Sequence, residues 1–388
     1  MLHAVVDWQR CLLAPWLAGL RLAAAQPPWQ RLLMAQHVLA ERTLCAAEAS
    51  DEPIETVVAR DHPGVSSAGT IEDGPFSRLV RFRAGGSGPP VLLVAPFSGY
   101  AGTVLSCLAS ALLQQAGELF FLDWHDARLV PAGHGRFGLD EQLAVVVRAL
   151  ATIDTPVHLV GVSQSGAVAL AAAALAADAG VSLPRPRSLV LLGAPIGPAE
   201  RPTAPGWLAA SLDPRLLDLL LISVVPDRYP GAGRRVYPGL FQLLTVLAAD
   251  PKTYCAIQAG LWRELLRDEP GIYDRLHADL HRLVDVPAEL YAESIENLVR
   301  RSPLLGDSLT LGSHRIPTKG LAGLPMLTIE AGRDDLVGTG ATHVAQRLAG
   351  PGSMSLTIPQ APHQALFLGP LFTAAVVPTL RRFLETVR

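Results

Sequence analysis

The stretch Gly161-Val162-Ser163-Gln164-Ser165-Gly166 decides the fold. It follows the mostly apolar run Val157-His158-Leu159-Val160 and leads into Ala167-Val168-Ala169-Leu170, which opens an alanine-rich helical stretch reaching Ala177. A serine between a buried strand and a helix, with small residues two positions to either side, is a nucleophile elbow. The turn is strained, and bulky side chains at those flanking positions would collide as strand and helix pack. Gly161 and Ser165 meet that demand for Ser163. Ser165 is the competing nucleophile, because Ser163 and Ala167 flank it at the same spacing. It would need the strand to run on through Gly161 and Ser163, where the β-branched apolar pattern has stopped, so Ser163 is preferred. The bland alternative is a plain strand–turn–helix connection, and the fifth motif position holds Ser rather than Gly.

The partners expected of such a serine follow it in the order acid, then histidine. The strand-like run Pro325-Met326-Leu327-Thr328-Ile329-Glu330 ends in Ala331-Gly332-Arg333-Asp334-Asp335, and a second run, Ser353 to Ile358, precedes Ala361-Pro362-His363. An acid and a histidine therefore stand just past the C-terminal ends of strands, where open α/β sheets place their sites. Asp334 is the preferred acid, since Leu336-Val337-Gly338 follows it after one residue. Asp335, with its Gly332-x-x-Asp spacing, is the alternative, and one of the two must be an ordinary turn residue. The apolar run Val91-Leu92-Leu93-Val94 ends in Ala95-Pro96-Phe97-Ser98-Gly99, a candidate oxyanion loop. Pro96 has no N–H, so the donor there is Phe97 or, less favourably, Ser98, with Gln164 supplying the second amide.

Strands at 91–95, 118–122, 157–162, 188–193, 325–330 and 353–358 alternate with helical stretches. This is the pattern of an α/β-hydrolase fold with a mostly parallel central sheet. Residues 1 to about 50 read as helices, and 54–60 and 78–84 as antiparallel-type strands. From Gly197 to about Thr318 the alternation stops, in a Leu-rich, proline-punctuated interval that reads as a mainly helical cap. The chain thus divides into 1–196, with N-terminal helices and the first part of the core, a cap at 197–318, and the rest of the core at 319–388.

Composition suits an enzyme of this class. The 388 residues are 49% hydrophobic with a net charge of −3. No basic patch signals nucleic acid, and no stretch reads as a membrane span. Cys11, Cys45, Cys107 and Cys255 are scattered, with neither a disulfide framework nor zinc-ligand spacing. The Ala23-Ala24-Ala25 end of an apolar stretch imitates a signal-peptide cleavage site. Asp7 and Arg21 fit an amphipathic helix better, so a cytoplasmic protein is expected. His277 and His281, one helical turn apart, read as a solvated helix face rather than a metal site. His125, after the strand at 118–122, is a weak candidate for substrate contact and otherwise packs or bonds structurally.

The chain resembles the intracellular poly(3-hydroxybutyrate) depolymerases over nearly its full length. The blocks that carry the resemblance are Ala95–Gly99, Asp123-Trp124-His125-Asp126-Ala127-Arg128, Tyr229-Pro230-Gly231-Ala232-Gly233-Arg234-Arg235-Val236-Tyr237-Pro238-Gly239, and Glu330 to Gly338. The resemblance implies an ester hydrolase with Ser163, Asp334 and His363 as its triad and no metal or organic cofactor. Its implied substrate is a polyester at the surface of intracellular granules. Many relatives carry cysteine followed by Gln-Pro at the elbow, where this chain has Ser163-Gln164-Ser165, and often an aromatic residue where it has Gln364. The apolar cap with Trp207 and Trp262 suits an uncharged, water-poor substrate, and equally a lipid or plain core packing. Three alternatives stand beside this reading: a general carboxylesterase acting on small esters, a synthase-like acyltransferase, which Ser163 argues against, and a non-catalytic granule-surface protein.

Overall fold

Six apolar runs, each ended by a glycine, proline or polar residue, become the parallel part of one eight-stranded sheet. A computed structural model gives this architecture. It describes residues 2–23, 30–44, 54–62, 64–97, 103–178, 182–249, 251–269, 271–281, 284–305 and 308–387. The strands are β1 (Val65–Asp73), β2 (Ser77–Ala84), β3 (Val91–Val94), β4 (Glu118–Trp124), β5 (His158–Val162), β6 (Ser188–Leu192), β7 (Met326–Ala331) and β8 (Met354–Ile358). Their order across the sheet is β1-β2-β4-β3-β5-β6-β7-β8. β2 runs antiparallel to both neighbours, and every pairing from β4 to β8 is parallel. β3, β5, β6 and β7 are buried along their whole length, as parallel strands covered by helices on both faces must be. This is the α/β-hydrolase fold.

The helix Ser165–Ala176 behind the elbow buries every residue except Leu175. Alanine is what permits this, because a small side chain lets sheet and helix approach closely on one side while other layers cover the remaining sides. The small sheet 304–305, 308–311, 314–316 packs on that helix, and Leu304, Leu309, Leu311 and Ile316 join the main core. The end of the 197–318 interval therefore packs against the helix behind the elbow. The remainder is mainly helical, with helices at Ala204–Ser211, Pro214–Leu221, Gly239–Ala249, Pro251–Arg267, Ile272–His281 and Ala288–Ser294. It also holds a second small sheet of 223–224, 235–237 and 286–287.

The expected strand at 54–60 is instead a helix, Ile54–Asp61. Its Ile54, Val57 and Val58 are all buried in the core. That i, i+3, i+4 spacing is helical, and it outweighs the β preference of the adjacent valines. The first strand is β1, for which the sequence carries no strand signal, because an edge strand of Ser, Gly and Thr lacks an apolar run. N-terminal helices are present at Leu2–Ala23 and Gln30–Leu44. Ala24, Ala25 and the 45–53 segment lie outside the described residues.

One segment, His363–Thr386, does have the length and mean hydropathy of a membrane-crossing helix, which the sequence reading did not find. Its first turn carries a buried histidine, and Phe372, Val376, Leu380 and Phe383 lie in the hydrophobic core. A third of its apolar window is buried in the fold.

Candidate active site

The elbow forms where β5 runs out of apolar residues. Ser163 sits at φ +49°, a left-handed conformation that costs a non-glycine residue about 1–3 kcal/mol. The surrounding bonds hold it there: Ser163 N–H donates to Leu192 O (2.9 Å) and Gly166 N–H donates to Ser163 O (2.9 Å). A Cβ at Gly161 would lie 2.7 Å from the Ala169 methyl, and one at Gly166 would overlap Ala194. Only glycine lets strand and helix meet at this angle.

Ser165 has another task. It is fully buried, and its hydroxyl donates to Ala95 O at 2.5 Å. Trp124 Nε1–H donates to the same carbonyl at 2.6 Å. The hydroxyl in the fifth motif position thus ties the elbow to the loop after β3. Ser163, in contrast, is half-buried and lines an open cleft with Gln164.

The neighbouring aspartates divide their work. Asp334 Oδ2 lies 2.7 Å from His363 Nδ1, and its Oδ1 accepts from Leu336 N–H (3.0 Å) and Val337 N–H (2.7 Å). Asp335 Oδ1 accepts the backbone N–H of His363 at 3.1 Å. One acid orients the imidazole and the other fixes the backbone that carries it. Burial pushes the Asp334 carboxyl up, but the His363 charge, its hydrogen bond and the loop amides bring it below the usual carboxylate range. Burial likewise opposes charge on His363, yet Asp334, with help from Asp335, holds the imidazole above its ordinary value.

The histidine and the serine converge at Gly193. Leu192, whose carbonyl holds Ser163, precedes Gly193 (φ +53°), and a Cβ on Gly193 would lie 2.7 Å from His363 Cε1. Ser163 Oγ and His363 Nε2 are not hydrogen-bonded to each other here. Such contacts commonly close only when substrate is bound.

Gln164 lines the cleft with Ser163, whereas Phe97 is not among its lining residues. Neither Phe97 N–H nor Gln164 N–H donates to another group among the described residues. Phe97 is buried and stacks on Trp124 with ring centroids 5.7 Å apart. Ser98 and Gly99 lie outside the described residues. Gln164 is fixed by a reciprocal amide pair with the fully buried Gln142: Gln164 Nε2 donates to Gln142 Oε1 at 2.8 Å, and Gln142 Nε2 returns a bond at 3.3 Å.

The cleft beside Ser163 has a volume of about 700 Å³, and Gly197, Trp207, Leu298, Arg301 and Val337 are among its lining residues. That is within the size range of small-ligand sites. The cap reaches the acid loop through Thr203, whose hydroxyl donates to Leu336 O at 3.3 Å. Trp262, by contrast, does not line the cleft.

Two of the motif blocks meet away from the cleft. Asp126 accepts from the Arg128 backbone (2.8 Å) and guanidinium (2.8 Å) and from Asp285 N–H (3.1 Å). Arg234 donates to the carbonyls of Val130, Pro131 and Gly135. Gly231 approaches Arg128 O so closely that a Cβ would clash. The Tyr229–Gly239 block is therefore a clamp that fixes the cap to the loop after β4. Desolvation pushes Asp126 up to about 6, with Arg128 opposing and Asp285 adding to the rise.

The remaining candidates are structural. His125 Nε2 bonds Asp73 Oδ1 at 2.8 Å and does not line the cleft. His277 and His281 are buried, not solvated, with stacked rings 4.2 Å apart. Burial pushes His281 down to about 4. No cluster of three metal-binding side chains occurs among the described residues. Gln364 lines a separate, mostly apolar hollow of about 190 Å³ with Tyr273 and Leu280.

Sequence reading missed Gln142 and Glu330. Glu330 is buried and accepts from the backbone N–H groups of Gly340, Thr342 and His343 (2.9, 2.7 and 2.6 Å), which shapes the loop beyond Asp334. The signal for Gln142 was present, since it interrupts the buried stripe Leu139, Leu143, Val146, Leu150 of its helix.

Comparison with known proteins gives a family and distant structural likenesses. The family model described as "PHB de-polymerase C-terminus" matches residues 193–388, a span that holds Asp334 and His363 and begins after Ser163. No curated protein matches the chain. Among solved structures, a membrane phospholipase A, described as a bacterial virulence factor, is 16% identical, with 98% of this chain and 99% of that one covered and a TM-score of 0.47. A putative lipase from Acinetobacter baumannii AYE is 14% identical (88% and 100% covered, TM-score 0.45). A bromoperoxidase from Bacillus anthracis is 16% identical (82% and 99% covered, TM-score 0.46).

Proposed function

The chain belongs to the PHB de-polymerase family, and on that premise we propose that this hydrolase is a serine esterase. It cleaves poly(3-hydroxybutyrate)-type polyesters to 3-hydroxyacid oligomers or monomers through an acyl-enzyme. The observation that carries the reading is the Asp334–His363 bond of 2.7 Å together with a strained serine that lines an open cleft.

His363 removes the Ser163 proton as Oγ attacks the ester carbonyl, and Asp334 holds the imidazole in the tautomer that leaves Nε2 free to accept it. The Phe97 and Gln164 amides receive the oxyanion, each worth roughly 3 kcal/mol in the transition state. The imidazolium then protonates the departing alkoxide. Water activated by the same ring releases the acyl group and regenerates Ser163. Serine depends on this base more than cysteine would, because almost none of it is ionised at neutral pH.

Family membership and the character of the cover support a polymer substrate. Trp207 both lines the cleft and is 63% exposed. Leu208, Leu219 and Leu220, on its own helix and the next, are more than half exposed. Exposed apolar residues, one of them on the cleft wall, favour a water-poor surface over a dissolved substrate. In this reading the enzyme works in the cytoplasm at the surface of polymer granules.

The test is titration of 3-hydroxybutyrate release from native granules, with p-nitrophenyl butyrate hydrolysis alongside. Acid release that disappears in Ser163→Ala supports the reading. Turnover of p-nitrophenyl butyrate alone replaces it with a small-ester carboxylesterase. Granule binding with neither turnover nor fluorophosphonate labelling replaces it with a non-catalytic granule protein.

A further inference from the structure

The cleft beside Ser163 is lined by apolar and small polar residues with two charged exceptions, Arg300 and Arg301; no aspartate or glutamate lines it among the described residues. A neutral polyester interior supplies no partner for a cation, so the pair calls for a separate explanation. Arg300 has a structural one. Its guanidinium donates to Ala209 O at 3.1 Å and to Leu212 O, closing the end of the helix that carries Trp207, and also reaches Glu296 at 3.4 Å.

Arg301 differs. Its side chain is 74% exposed, and its one ion pair among the described residues runs from Nε to Glu296 Oε1 at 2.8 Å. Neither Nη group has a partner among the described residues. Two guanidinium groups against the single Glu296 carboxylate leave one positive charge on this wall. The backbone presents it firmly: Arg301 N–H donates to Glu296 O (3.1 Å), Ser302 follows at φ +65°, and Leu304 N–H donates to Ile196 O (2.8 Å).

We propose that Arg301 is a carboxylate subsite, which receives the free carboxylate terminus of a hydroxyacyl oligomer whose ester bond lies at Ser163. The proposal rests on the ester-hydrolase reading of the same cleft. A guanidinium presents paired N–H groups that match the two oxygens of a carboxylate. Ion pairing at a partly exposed wall weakens with salt. The subsite would let one cleft distinguish short acid-terminated chains from neutral polymer.

The experiment measures binding, not turnover. In the Ser163→Ala background, calorimetry compares 3-hydroxybutyrate trimer with a free carboxylate against its methyl ester. The free acid should bind about tenfold more tightly at low salt, the scale of one charge-assisted contact. Adding Arg301→Gln should bring the two dissociation constants together, and Arg301→Lys should keep part of the difference. Equal affinities in the Ser163→Ala protein, a preference that survives Arg301→Gln, or no binding of either trimer each overturn the subsite. Granule titration judges the polyester reading separately: a tenfold preference without granule hydrolysis would keep the subsite and discard the polymer.

Discussion

The elbow and acid loop differ from the cap in how completely their polar and apolar groups are used. Around Ser163, Ser165, Gln142, Glu330, Asp334 and Asp335 all have named partners within 3.4 Å, and the strands beneath are buried. On the cap, Trp207, Leu208, Leu219 and Leu220 stand in solvent, and the helix Ala204–Ser211 buries no residue. The contrast separates two duties. A rigid, fully bonded framework keeps reacting groups in register, whereas a surface that leaves apolar groups exposed gains by meeting something apolar.

Substitutions in the first region should therefore affect every substrate alike, and those in the second should discriminate. The largest effect belongs to Ser163→Ala, which should lower turnover of granules and p-nitrophenyl butyrate together by about 10⁵–10⁶-fold with an unchanged melting temperature. Ser165→Ala should leave far more activity and cost stability, since it removes one of the two hydrogen bonds to the buried Ala95 carbonyl. The reverse ranking would exchange the roles of the two serines.

Asp334→Asn should follow, at about 10⁴-fold in kcat. Asp335→Asn should stay within roughly tenfold, because an amide oxygen can still accept the His363 N–H. The pH profile sharpens the distinction. His363 must be neutral to accept the serine proton, and Asp334 holds its pKa up, so activity should be lost on the acid side from above the ordinary value of about 6.5. In Asp334→Asn, burial acts without that opposing charge, and the residual acid limb should move to lower pH. An acid limb that stays in place in Asp334→Asn but moves in Asp335→Asn would reassign the acid.

Gln142→Leu should cost roughly ten- to a hundredfold in kcat with little change in KM, less than the loss of a whole oxyanion donor. It removes the partner that fixes Gln164 without touching substrate. An equal rise in KM would point to general disorder of the cleft instead.

The smallest effect lies on the cap. Trp207→Ser should depress granule hydrolysis about threefold or more beyond its effect on p-nitrophenyl butyrate, since remote contacts assist only the polymer. Trp262→Ser, away from the cleft, should not discriminate. Equal losses on both substrates for Trp207→Ser, with unaltered melts, would argue against a polymer-guiding cap.

Much of this division was legible in the sequence, for identifiable reasons. The parallel strands declared themselves as short apolar runs, and the elbow, acid and histidine stood at their ends. Ile54–Asp61 misled because two adjacent valines mimic a strand over a helix of eight residues. β1 was hidden because an edge strand need not be apolar. The separate duties of Asp334 and Asp335, and of Ser163 and Ser165, depend on which side chain meets a loop far away in sequence. Gln142 lies 22 residues from Gln164 on a helix whose packing only the fold reveals. The Tyr229–Gly239 block stood out as a motif, but its role as a clamp on the loop after β4 appears only once Arg234 is seen on three carbonyls of that loop.

The most direct test of the central claim is to label the intact protein with a fluorophosphonate and map the modified peptide by mass spectrometry. The account predicts a single adduct on Ser163, formed in step with loss of ester hydrolysis and strongly slowed in Asp334→Asn. An adduct on Ser165, or full hydrolysis with no adduct at Ser163, would contradict it.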